Sequence, residues 1–98
     1  MQSTQGIYSQ ELLDKVQEYA GYLMQPIEIA LLLDINFEDF KAAIMNRHSL
    51  VSKAYFRGKT QTILAIRKQE VELAKIGSPM AVEHAAKYIT DMDLSENA

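Results

Sequence analysis

Apolar residues along this chain recur mainly at three- and four-residue spacing, the period that lines one face of an α-helix. No stretch alternates apolar and polar residues long enough to make a strand, so the chain is expected to be all-α. A first helix is expected over about residues 10–24, with Leu12, Leu13, Val16, Tyr19, Ala20 and Leu23 on one face. Ser9 stands where its hydroxyl would accept an orphan N–H of the first turn. Tyr8 and Leu13 stand where a hydrophobic staple would close over it. A short second helix is expected over 26–33, with Pro26 at the first helical position and Glu28 near the positive end of the dipole. Asp34, Ile35 and Asn36 form a tight turn, and a third helix follows over 37–45 with Asn36 as its cap.

The remainder reads as two longer helices. The fourth, over 50–76, would be roughly 40 Å long at 1.5 Å per residue. Gly58 lies inside it at a cost of about 1 kcal/mol against alanine, which points to close packing or a kink. Gly77-Ser78-Pro79 is a stop, a cap and a start in three residues, and predicts a helical hairpin. The fifth helix is expected over 79–92, with Val82, Ala85, Ala86, Ile89 and Met92 turned inward. The organisation expected is a flexible start over 1–8, a three-helix module over 9–48, a hairpin over 49–92 and a flexible tail over 93–98.

Composition narrows the class. At 98 residues, 48% hydrophobic and 23% charged, the chain has the make-up of one globular domain and is not disordered by composition. It has no cysteine, which excludes disulfides and thiolate metal sites. The formal net charge of −3 argues mildly against a nucleic-acid partner, but the charges are segregated. Residues 1–46 carry two basic and seven acidic side chains, residues 47–76 seven basic and two acidic, and residues 77–98 one basic and four acidic. On the fourth helix Lys53, Arg57, Arg67, Lys68 and Lys75 fall within an arc of about 100°. Such a stripe could follow phosphates, or be an ordinary solvated face. Leu64 and Val71 lie inside that arc, seven residues apart. Apolar residues on a second side of a helix imply a second packing partner, here a neighbouring subunit.

Catalytic chemistry is not indicated. His48 and His84 are the only histidines, neither sits in a metal-ligand spacing, and no glycine-rich phosphate loop occurs. The acid pairs Glu38/Asp39 and Glu70/Glu72 read as capping or solvated surface. No enzyme activity, metal or cofactor is expected. The most apolar stretch, residues 27–35, contains Glu28 and Asp34 and falls far short of the ~20 residues a spanning helix needs. Residues 1–6 lack the apolar core of a secretory signal, so no membrane association and a cytoplasmic location are expected.

The second and third helices have the spacing of a DNA-binding helix-turn-helix. Ile29 and Leu33 would be buried from the first, Ala30 would lie at the crossing and Ile35 would plug the turn. Phe40, Ala43 and Ile44 would face inward from the second. Asp34 stands where glycine is commonest, and aspartate tolerates the left-handed conformation required there. Glu38 and Asp39 lie at the end of the third helix that normally enters the major groove.

After this module come Ala54-Tyr55-Phe56-Arg57-Gly58-Lys59 and then a long helix closing on Glu72-Leu73-Ala74-Lys75-Ile76-Gly77-Ser78-Pro79-Met80-Ala81. Over residues 10–92 this resembles the small terminase subunits of tailed phages and prophages. That resemblance implies a non-catalytic protein that recognises double-stranded DNA for packaging, regulates a large terminase subunit and assembles as a homo-oligomer in the cytoplasm of a bacterial host. By the same resemblance Lys41, Arg47, Lys53, Arg57 and Lys59 are candidates for DNA contact. Tyr55, Ile63, Leu64 and Val71 are candidates for the subunit interface. Two other readings of the residues stay open: a small helix-turn-helix transcription regulator, and a helical protein-interaction module without DNA contact.

Overall fold

The computed structural model describes residues 8–98, and the expected flexible start lies outside them except for Tyr8. Among the described residues the protein is all-α, with five helices and no strand: α1 (Gln10–Gly21), α2 (Pro26–Leu32), α3 (Phe37–Met45), α4 (Leu50–Lys75) and α5 (Pro79–Glu96). They fall into two compact units, the first ending at Thr62 and the second comprising Ile63–Ala98. The division thus lies inside α4, not ahead of it as the sequence pattern implied.

The first unit has the core. Val16 of α1, Ile29 of α2, Phe40 of α3 and Val51 of α4 are fully enclosed, joined by Tyr8, Leu13, Ala20, Ala30, Ala43, Ile44 and Tyr55. Every helix of this unit contributes a residue from its apolar stripe, which is the packing that makes such short helices stable. Ser9 caps α1 by accepting from Leu12 N–H at 3.1 Å, and Tyr8 and Leu13 on either side of it are both buried. Gln25 N–H donates to the Glu28 carboxylate at 2.9 Å, so Glu28 closes the start of α2 as well as facing its dipole. Asn36 caps α3 through Asp39 N–H at 3.0 Å.

Helix ends are set by one device used three times. Leu23, Asp34 and Gly77 take left-handed backbone, at φ 62, 55 and 93°. In each case the next amide reaches five residues back, Met24 to Tyr19, Ile35 to Ala30 and Ser78 to Leu73. This is the Schellman closure, which satisfies carbonyls that the last helical turn leaves free. It ends α1 at Gly21, short of the expected Met24, and so leaves Leu23 exposed where periodicity placed it in the core.

Gly58 lies where α4 passes directly against the backbone of α1. A Cβ there would fall 2.0 Å from the backbone oxygen of Gln17, so no side chain fits. Close packing, not a kink, explains this glycine. The Thr62 hydroxyl donates to the Gly21 carbonyl beside it and ties the end of α1 to α4.

The second unit is the hairpin announced by Gly77-Ser78-Pro79. Ser78 takes the N-cap position, though its hydroxyl makes no capping bond. α5 continues to Glu96, four residues past the expected end at Met92, because nothing in Asp93-Leu94-Ser95 breaks a helix. Its expected inward face is also corrected. Ala81 is buried, with Ala85 and Tyr88 half-buried, whereas Val82, Ala86, Ile89 and Met92 are exposed. The side of α5 that meets α4 is rotated from the most apolar one, because polar contacts occupy the seam. The Glu70 carboxylate lies 2.6 Å from His84 Nδ1 and accepts from the Tyr88 hydroxyl, and the Arg67 guanidinium stands 4.5 Å over the Tyr88 ring. Among the described residues no helix is long and apolar enough to cross a membrane.

Candidate nucleic-acid interface

Of the exposed basic groups of the first unit, Arg47 lies on the connection between α3 and α4, and Lys53 and Arg57 lie on the first turns of α4. The junction of α3 and α4 is built by Ser49, which is buried. Its hydroxyl donates to the Ala43 carbonyl at 2.6 Å and accepts from Ser52 N–H at 3.0 Å, so one side chain both caps α4 and fastens it to α3. Ser49 N–H donates to the Asn46 carbonyl at 2.9 Å, and the Asn46 side chain accepts from His48 N–H at 3.3 Å. The four-residue connection is thereby held at both ends, and Arg47 projects from it.

Arg47 is placed by an aromatic ring. Its guanidinium carbon lies 4.1 Å from the centroid of Phe56, one and a half turns into α4. Phe56 in turn meets Tyr55 edge-on, at 5.1 Å between centroids and 88° between planes. A guanidinium stacked on a ring keeps its charge and its N–H edge available while losing conformational freedom. Tyr55, expected at a subunit interface, lies in the interior of the first unit. It is 8% exposed, part of the first unit's own core, and burial pushes its phenol above the ordinary value.

Lys53 and Arg57 stand one turn apart on α4. They line a shallow groove whose far wall is Gln10, Asp14 and Gln17 of α1. Lys59 is exposed further along α4. Lys41 is separate from these, at the edge of an apolar groove formed by Pro26, Ile27, Phe37, Ile44 and Met45. None of the five makes an ion pair among the described residues. Lys53 and Arg57 share one groove, Arg47 lies on the α3–α4 connection against Phe56, and Lys41 belongs to a different surface. The outward face of α3 itself presents Glu38, Asp39, Lys41, Ala42 and Met45, which is acidic at its N-terminal end and apolar at the other.

Ile63 is half-buried, and Leu64 and Val71 are exposed. Arg67, read with the basic stripe, is instead engaged with Tyr88. Two features of the α3–α4 junction escaped the sequence pattern. Ser49 had a detectable signal, since a serine just ahead of a helical apolar run is a cap. The pairing of Arg47 with Phe56 had none, because it crosses a helix boundary that no periodicity spans. No family model, curated protein or solved structure matches the chain.

Proposed function

We propose that this is a non-catalytic DNA-binding protein resembling a terminase small subunit, working as an oligomer with a large terminase subunit as its partner. In this reading α2, the turn at Asp34 and α3 form the helix-turn-helix. Phosphates are held at the start of α4 by Arg47, Lys53 and Arg57, with Lys59 beyond them. The observation that carries the reading is that these exposed cations have no ion-pair partner among the described residues, with one of them seated on Phe56. An unpaired cation releases a condensed counterion on meeting a phosphate and pays nothing to break an existing pair. Glu38 and Asp39 repel the backbone at the tip of α3, so the weight of contact shifts to the α3–α4 junction.

The test is a DNA titration at several salt concentrations. Lys53→Ala with Arg57→Ala is expected to lower the slope of log affinity against log salt by up to about two, at roughly 0.9 per phosphate contact. An unchanged slope would remove these residues from the interface, and absence of binding by the wild-type protein at low salt would remove DNA. A second reading is favoured by the apolar groove of Ile27, Phe37, Ile44 and Met45. A nearly unpolar groove beside α3 suits a protein helix better than a base edge, and the interaction module is then the function.

A further inference from the structure

The groove beside α3 is lined almost wholly by apolar side chains. Ile27 on its α2 side and Met45 on its α3 side are 53% and 67% exposed. Leu31 stands one turn beyond Ile27 on the same face of α2. At 82% it is the most exposed large apolar side chain among the described residues. None of the three belongs to the core of the first unit. Apolar side chains left singly in water need no explanation, but a group of them around a concave apolar site marks a contact surface.

Charge selects the occupant. From Tyr22 to Asn46 the only basic side chain is Lys41, against the acids Glu28, Asp34, Glu38 and Asp39. Two of these acids stand beside the groove. The Glu28 carboxylate accepts from the N–H of Gln25, a lining residue, at 2.9 Å. Glu38 is exposed and lies two turns before Met45, on the same side of α3. DNA fits this surface poorly, because its phosphates would meet carboxylates. An anionic bilayer meets the same repulsion, and a concave apolar site does not reach into lipid. A helix of another protein fits both features: its apolar stripe fills the groove, and basic residues beside that stripe meet Glu28 and Glu38.

We propose that the α2–α3 groove receives a basic amphipathic helix of a partner protein. Its apolar anchors, at i, i+4 and i+7, pack against Ile27, Phe37 and Met45, and lysine or arginine flanks them on both sides. Lys41 at the edge pairs with one acidic residue among the basic ones. The inference rests on the second reading above, in which this groove docks a protein helix, and adds the chemistry of the partner. The site is distinct from the groove of Lys53 and Arg57, which lies between α1 and α4.

The experiment is selection from a random-sequence peptide display library on the full chain, followed by titration of the enriched peptides by fluorescence anisotropy. Enriched peptides are expected to become helical on binding, to carry apolar residues at i, i+4 and i+7, and to be net basic. Ile27→Ser with Met45→Ser leaves the charge unchanged and is expected to weaken the tightest peptide by about tenfold or more. Met45→Ser alone, at the more exposed of the two positions, is expected to give part of that loss. Glu28→Gln with Glu38→Gln is expected to weaken it about threefold and to reduce its sensitivity to salt. Circular dichroism verifies that the variants are folded. Enriched peptides with acidic or uncharged flanks, or glutamine variants that bind as the wild type does, would overturn the partner chemistry and leave the second reading standing. No enrichment, or peptides that bind the folded serine variants as tightly as the wild type, would overturn both.

Discussion

At the scale of single residues, backbone conformation governs more than side-chain chemistry. Three helices end through a left-handed residue, yet only one of the three positions is glycine. A side chain in this conformation costs roughly 1–2 kcal/mol, less for aspartate, whose short polar side chain bonds locally. Asp34→Gly and Leu23→Gly are therefore expected to stabilise the first unit by about 1 kcal/mol each, read as a raised urea midpoint with unchanged slope. Leu23 loses little by the change because half of it faces solvent. Gly58 is the opposite case: its φ is ordinary, and what requires glycine is the Gln17 carbonyl of α1. The left-handed turn at Asp34 was readable from the chain, since aspartate in a short turn between two apolar helices has few other uses. The one at Leu23 was not, because leucine signals a core position and only the closure from Met24 to Tyr19 overrides that signal.

At the scale of helices, the hairpin is held by hydrogen bonds where the rest of the molecule is held by apolar contact. The Tyr88 and His84 side chains beside the Glu70 carboxylate, chiefly the Tyr88 hydroxyl, hold it below its ordinary value of 4.5. The same hydrogen bond to Glu70, with some desolvation, raises the Tyr88 phenol above its ordinary value of 10.0. A carboxylate whose value is lowered by folding stabilises the folded form fully above its unfolded value, and the effect is lost as pH falls through the lowered one. A phenol whose value is raised stabilises below its unfolded value, and the effect is lost as pH climbs through the raised one. The hairpin's helical signal is thus expected to hold across neutral pH and weaken below about 4.5 in the wild type. Tyr88→Phe should reduce that acid dependence, as followed by circular dichroism during an acid titration. A variant that titrates like the wild type would show that Tyr88 does not hold Glu70.

At the scale of the whole chain, two units divide stability and surface between them. The first buries a core drawn from four helices and leaves Arg47, Lys53 and Arg57 exposed. The second buries one alanine and leaves Leu64, Val71, Val82 and Ile89 outside. If neighbouring copies supply what that unit lacks, its melting temperature rises with protein concentration, because association stabilises by mass action. Differential scanning calorimetry over a hundredfold concentration range is expected to show an increase in the lower transition, and a constant midpoint would speak against assembly through this unit.

Period and punctuation in the sequence alone determined the all-helical class, the five elements, the stops at Asp34 and Gly77 and most of the first unit's core. These follow from local rules: which faces repeat, which residues cap, and which tolerate a left-handed backbone. Only the tertiary structure decided which of several apolar faces is spent inside the chain. Tyr55 and Leu64 lie on one helix and are both apolar, yet the first is enclosed by its own unit and the second is left outside. The inward side of α5 departs from its apolar period for the same reason, since the Glu70 cluster, assembled from residues 14 and 18 positions apart, claims the seam from Val82 and Ile89. Periodicity reports that a face is apolar. Which partner covers it depends on the contacts competing for it, and those are made between residues distant in sequence.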